Sequence, residues 1–183
     1  MSAHGNRHGV GWKTRRQPYA RLTAILPARA ESLGELHAAF DLFFSAAEGA
    51  GATIRPVDRI ALVKAAAEVA ASIVDHACPG MPDAQMSIAL ECDGSVLEAR
   101  FEDSGRPYDP AAEPHLDRPR DAGPHLGIGL GVAQDSVDEL EYARQGGRNC
   151  WRLVRRTPTG APPGRDFGAP VALRRGDPGI RAG

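Results

Sequence analysis

The stretch from Gln85 to Pro110, QMSIALECDGSVLEARFEDSGRPYDP, decides the fold. Gln85 to Cys92 and Val96 to Glu102 each read as a strand, with apolar and polar residues alternating as they do when one face is buried. Asp93-Gly94 between them is a strong hairpin signal, because tight turns between strands favour residues that tolerate positive φ. The second strand runs into Asp103-Ser104-Gly105, a turn-forming sequence. A carboxylate is thereby delivered at a strand end.

Working outward, Ala20 to Leu26 suits a short strand ended by Pro27. Ser32 and Glu35 form a capping-box pattern, in which each side chain satisfies a free backbone N–H at a helix start. Leu33, Leu36, Phe40, Phe43, Phe44 and Ala47 follow at helical spacing, and Gly49 stops the run. A second helix is predicted from Pro56-Val57-Asp58 to about Ala77, ended by Pro79-Gly80. Its many alanines are strong helix formers and permit close packing. Pro107 to Pro124, rich in Pro, Asp and Arg, reads as an irregular lid. A third helix is expected after Gly127. Strands then follow near Glu139 to Ala143 and Cys150 to Arg155, turned by Gly146-Gly147. The order implies an α+β fold: a two-layer sandwich whose mixed, mostly antiparallel sheet carries helices on one face. The predicted organisation is a tail over residues 1–19, one domain over 20–156 and a second tail over 157–183.

The 183 residues suffice for one domain with a sizeable core. A net charge of −1 argues against a nucleic-acid footprint over the whole molecule. Both ends are rich in Arg, which reads as solvated tails, with an electrostatic contact to an acidic partner as the alternative. Cys78, Cys92 and Cys150 have no metal-type spacing, and their odd number fits no closed disulfide framework. With no membrane-length apolar run and no signal-peptide pattern, the expectation is a cytoplasmic protein that binds neither membrane nor nucleic acid directly.

Three groups of residues could carry chemistry. On the second helix Glu68, Ser72, Asp75 and His76 share roughly one face, either as its solvated side or as the wall of a polar cleft. At the strand end, Asp103 could accept a hydrogen bond from an amino group while Gly105 lets a ring approach the backbone; the same residues could simply form a turn. Gly127-Ile128-Gly129-Leu130 opens a helix whose free N–H groups and dipole suit phosphate oxygens. The dinucleotide fingerprint fails because Val132 stands where a third glycine is needed. A P-loop fails because Gly-Lys-Ser/Thr occurs nowhere.

In combination these motifs resemble the GHKL (Bergerat-fold) ATPase superfamily over about Ala20 to Arg156, most closely its anti-sigma-factor serine kinases. Glu68, Ser72 and His76 fall at the places of that family's N-box. Asp103-x-Gly105-x-Pro107-Tyr108-Asp109-Pro110 is similar to its DxGxPFDP box. Gly127-Ile128-Gly129-Leu130, with Val137-Asp138-Glu139 and Tyr142 beyond it, resembles its second glycine box, and Gly146-Gly147-Arg148-Asn149 also fits.

The resemblance implies ATP and Mg²⁺ as cofactors, with Glu68 as general base. It implies nucleotide contacts at Ser72, Asp75, His76, Asp103, Gly105, Pro107, Tyr108, His125, Gly127, Ile128, Gly129 and Leu130. Arg118 and Arg120 are further candidates for phosphate. The implied substrate is a serine or threonine of a STAS-type anti-anti-sigma protein, the second partner is a sigma factor, and the assembly is a homodimer. One position departs: Ser72 stands where the family has the asparagine that binds Mg²⁺. Serine is an oxygen ligand but a shorter one, acting on Mg²⁺ directly or through water. The rival reading is therefore a nucleotide-binding module with weakened or lost catalysis that sequesters its partner. A sensor-kinase domain that phosphorylates histidine is a third reading, disfavoured because the head before Ala20 is too short for a dimerisation helix.

Overall fold

A computed structural model describes residues 18–109, 128–157 and 171–173. Six strands form one open sheet: β1 (Ala20–Pro27), β2 (Gln85–Cys92), β3 (Val96–Asp103), β4 (Glu139–Gln145), β5 (Arg148–Arg156) and β6 (Val171–Leu173), in the order β4-β5-β3-β2-β1-β6. Neighbouring strands are antiparallel except β6, which runs parallel to β1. The sheet is thus mixed and mostly antiparallel, as expected. β6 lies within the stretch read as a tail. Three residues are too few for a periodic signal, so it was not anticipated.

Alternation explains which face is covered. In β1, Ala20, Leu22, Ala24 and Leu26 are buried while Arg21, Thr23 and Ile25 are exposed. Met86, Ile88 and Leu90 of β2 and Leu97, Ala99 and Phe101 of β3 continue the same buried face. Two long helices, α1 (Ser32–Gly49) and α2 (Pro56–Ser72), and the shorter α3 (Ile128–Ser136) account for the helical layer. Phe40, Phe43 and Phe44 of α1 are fully buried, each contributing roughly 1.5–3 kcal/mol by leaving water. The fully buried Ala65, Ala66 and Ala70 of α2 leave room for close approach, and α2 packs against α1, α3, β3 and β5. The other face of the sheet carries a ladder of ion pairs, among them Arg21–Glu91, Arg152–Glu98 and Arg148–Glu102.

Two local expectations are corrected. The Ser32–Glu35 capping box does not form: Ser32 is the first residue of α1, the N-cap is Glu31, and no side chain caps the helix. A preceding turn does that work, since the N–H groups of Ser32 and Leu33 donate to the carbonyls of Arg29 and Ala30 at 3.0 and 3.2 Å. The Ser32 hydroxyl is left buried with no partner among the described residues. The second helix also does not stay α-helical to Ala77. After Ser72 it widens into a π-helical turn over Ile73–Ala77, a local form often found at functional sites.

At its other end α2 is stapled to the sheet by Asp58, which is fully buried. Its carboxylate accepts from Arg55 Nε at 2.6 Å and from Arg155 Nε of β5 at 2.9 Å. These bonds, that from Arg55 foremost, hold its pKa below the ordinary carboxylate value against the opposing effect of burial.

Candidate functional site

Asp103 closes β3 on the helix-covered face and is 2% exposed. Its Oδ1 accepts from the Gly105 N–H at 2.8 Å and from Asn149 Nδ2 at 2.7 Å. Its Oδ2 is buried and has no partner among the described residues. Such an atom is costly to leave unsatisfied, so it is an oriented acceptor open to a donor from a ligand or a water. Burial pushes the Asp103 pKa up, while the bonds from Asn149 and Gly105 and the nearby Arg144 cation pull it back.

Gly105 is required by close approach. A Cβ there would collide with the Ala77 carbonyl and lie 2.8 Å from Cys78 Sγ. The π-helical turn creates this contact: the Cys78 N–H reaches back to Ile73 O at 2.9 Å, while the Ala77 carbonyl accepts from the Arg106 N–H at 2.8 Å. The end of the α2 run is thereby tied to the loop carrying Asp103. Along the same helical run Glu68 is half-buried, and its Oε2 lies 2.7 Å from the position a Cβ on Gly129 would take, in the first turn of α3. Glu68 and Asp103 are therefore joined through one continuous element and flank the same helix-covered side of the sheet.

The remaining expected residues divide. Ser72 is half-buried at the last α-helical position, one turn beyond Glu68. Asp75 and His76 are exposed on the π-helical turn, with no hydrogen bond to the site among the described residues. Pro107 is exposed. The Tyr108 ring packs against Tyr142 and Trp151, with centroids 5.3 and 5.1 Å away, which anchors the loop after Asp103. Leu130 is a core residue. Ile128 begins α3. Arg118, Arg120, His125 and Gly127, with most of the expected lid, lie outside the described residues.

Sequence reading gave Asn149 and Tyr142 no role beyond a fit to the family pattern and did not single out Arg144. Asn149 is 1% exposed and uses all four of its amide hydrogen-bonding positions. Nδ2 donates to Asp103 Oδ1 and, at 2.8 Å, to Arg106 O, while Oδ1 accepts from Tyr142 Oη at 2.9 Å and Arg144 Nη1 at 2.6 Å. Arg144 Nη1 also donates to Gly105 O at 2.9 Å. The signal was present in strand parity: Asn149 shares the inward parity of Trp151 and Leu153, and a polar residue there must find partners.

Among the described residues no group of three or more His, Cys, Asp and Glu could hold a metal ion. Mg²⁺ does not require one, since it keeps several waters and takes one or two protein oxygens together with phosphates. Half-buried Ser72, one turn beyond Glu68 on α2, fits that role, and the Asp103 Oδ2, with no partner among the described residues, fits an amino group on a purine. On the opposite face of the sheet a hollow of about 340 Å³ is lined by residues including Arg100, Glu102 and Arg152, side chains already engaged in ion pairs.

An open sheet with helices on one face, a buried acid at the end of a central strand and a second acid facing a helix start make the frame of an ATPase-type domain. Residues 26–155 match the family model described as the histidine kinase-like ATPase domain, and the chain belongs to that family. A solved structure of the RsbU and RsbW domains of Rv1364c from Mycobacterium tuberculosis is similar at 20% identity and a TM-score of 0.51, covering 77% of this chain. That likeness shows a shared fold; the match takes in 33% of the other chain. No curated protein matches. No helix among the described residues is long and apolar enough to cross a membrane.

Proposed function

We propose that this chain binds ATP with Mg²⁺ and phosphorylates a serine or threonine of a STAS-type anti-anti-sigma protein, holding a sigma factor inactive until the regulator exchanges partners. The unpaired Oδ2 of Asp103 carries the reading, as an acceptor fixed in place for the exocyclic amino group of adenine. Glu68 and Ala77 are nine positions apart on a run that is α-helical to Ser72 and π-helical beyond it, on the order of 10 Å along the axis, a span suited to an extended nucleoside triphosphate. Adenine then lies at the Asp103 end and the phosphates at the Glu68 end, beside the first turn of α3. The partner assignments rest on the motif resemblance, and the likeness to a structure containing an RsbW domain supports the same fold context.

In this reading Glu68 takes the proton from the attacking hydroxyl, whose oxygen bonds the terminal phosphorus as the bond to the leaving diphosphate oxygen breaks. Mg²⁺ supplies charge neutralisation on the transferred group when bound. Gly129 leaves the carboxylate of Glu68 the room it occupies, and Ser72 offers the ion an oxygen. Homodimerisation and a cytoplasmic location belong to the same proposal. Incubating the full chain with Mg-ATP and STAS proteins encoded nearby, read by intact mass, tests it: one added phosphoryl group on the STAS partner is expected. No addition to any partner, with ATP binding intact, removes the kinase assignment.

A further inference from the structure

We infer that Arg144 is a positioning residue that sets nucleotide specificity, acting on Asp103 through Asn149. The inference rests on Asp103 being the acceptor for the adenine amino group.

One guanidinium nitrogen of Arg144 donates to Gly105 O and to Asn149 Oδ1, bridging the loop after β3 to the strand beside it. Tyr142 Oη makes the second bond to Asn149 Oδ1 and itself accepts from the Tyr108 N–H at 3.0 Å. Arg144 Nη1 and Tyr142 Oη donate to Asn149 Oδ1, so the Asn149 amide has only one permissible orientation, with its NH₂ toward Asp103 Oδ1 and Arg106 O. With Oδ1 held by Asn149 and by the Gly105 N–H, Asp103 cannot turn its other oxygen away. Oδ2 is thus kept free for a ligand donor. β4 and β5 pair Arg144 directly with Asn149, and β3 and β5 pair Asp103 with Asn149, so the three residues lie in a row across adjoining strands. Without Arg144, Asn149 Oδ1 keeps one donor of two and the Gly105 carbonyl loses its side-chain donor. The loop and the Asp103 carboxylate are then free to sample other orientations.

The predicted consequence is selective. Losing Arg144 weakens the contact that reads the amino group and leaves contacts to the rest of the nucleotide in place. The test titrates the full chain with ATP and with purine riboside triphosphate, which lacks that amino group, and repeats both with Arg144→Met and Arg144→Lys. Wild type is expected to prefer ATP by about tenfold or more, the scale of one buried hydrogen bond. Arg144→Met is expected to lose most of that preference through weaker ATP binding, with the analogue's affinity unchanged, and Arg144→Lys to restore part of it. Should Arg144→Met fail to fold, Tyr142→Phe, which removes one donor and keeps the ring, takes its place with the same expected direction. If wild type discriminates and these variants discriminate equally well, the positioning role is overturned while the Asp103 assignment stands. If wild type shows no preference, the Asp103 assignment itself fails and the inference falls with it.

Discussion

The Oε2 atom of Glu68 lies 2.7 Å from the point where a Cβ on Gly129 would sit, so the carboxylate of one helix occupies the side-chain space of the first turn of another. A methyl group there meets the far end of a flexible side chain and not backbone. Gly129→Ala is therefore expected to leave stability unchanged or raise it by up to about 1 kcal/mol, since alanine is the better helix former. Phosphoryl transfer is expected to fall sharply, because Glu68 must move. Thermal melting and labelled-phosphate transfer, measured on one preparation, check both halves; equal loss of both contradicts the assignment of Glu68 as base.

Asp103→Asn has a definite orientation. The site of Oδ1 faces two donors, Asn149 Nδ2 and the Gly105 N–H, so the new amide must place its oxygen there. Its NH₂ then takes the Oδ2 position and meets the adenine amino group donor to donor. ATP affinity is expected to fall by about 1–3 kcal/mol. Unchanged affinity in a calorimetric titration removes Asp103 from the nucleotide site.

Acid acts on the two buried carboxylates with opposite sign. Asp58 has a lowered pKa, so its contribution to stability is complete above the ordinary value of 3.8 and is lost as pH falls through the lowered one. Asp103 has a raised pKa, so the native state holds its proton more tightly than the unfolded chain, and its burial costs stability increasingly as pH rises from 3.8 through the raised value. Binding follows the charged form: ATP affinity is expected to drop on acidification at a pH above the ordinary Asp range, and Asp103→Asn is expected to abolish that dependence. Titrations between pH 4 and 8, on the order of the carboxylate range and above, report it.

Removing Asp58 tests the staple between α2 and β5. Breaking a buried ion pair costs roughly 3–5 kcal/mol. Here Arg55 is half-exposed, and Arg155 keeps Asp138 at 3.6 Å, so Asp58→Ala is expected to cost about 2–3 kcal/mol, at or below that range. Urea unfolding monitored by circular dichroism measures it.

Ser72 ends the α-helical part of the run one turn beyond Glu68. Restoring the family's asparagine there lengthens the oxygen ligand toward the ion. Ser72→Asn is expected to raise Mg²⁺-dependent transfer without altering nucleotide affinity in the absence of the metal. Turnover measured against Mg²⁺ concentration decides it; no change means that serine already serves as ligand.

Much of the fold was legible because one sheet face is buried. The strand readings located β1, β2 and β3 to within a residue, with Pro27 marking the end of β1, Asp93-Gly94 marked a turn, and the aromatic spacing of α1 marked its core stripe. The acids of the site were legible from motif spacing. The clamp on Asp103 was not, because its members come together through strand pairing: Asp103 and Asn149 are 46 positions apart in sequence and meet only across β3 and β5. The capping box misled for a local reason, since a turn from Ala28 to Glu31 had already supplied carbonyls to the helix start. Nothing in Ile73–Ala77 itself distinguishes a π turn from an α turn.

That wider turn makes the chain intolerant of changes in length at one place. Because the Cys78 N–H bonds five residues back, the segment holds one residue more than an α-helical path between the same ends would need. A deletion of any single residue between Ile73 and Ala77 would let the helix close normally and would remove the widened turn that brings the Ala77 carbonyl to the Arg106 N–H. The loop bearing Asp103 would then lose its mooring, although no side chain of the loop had been touched.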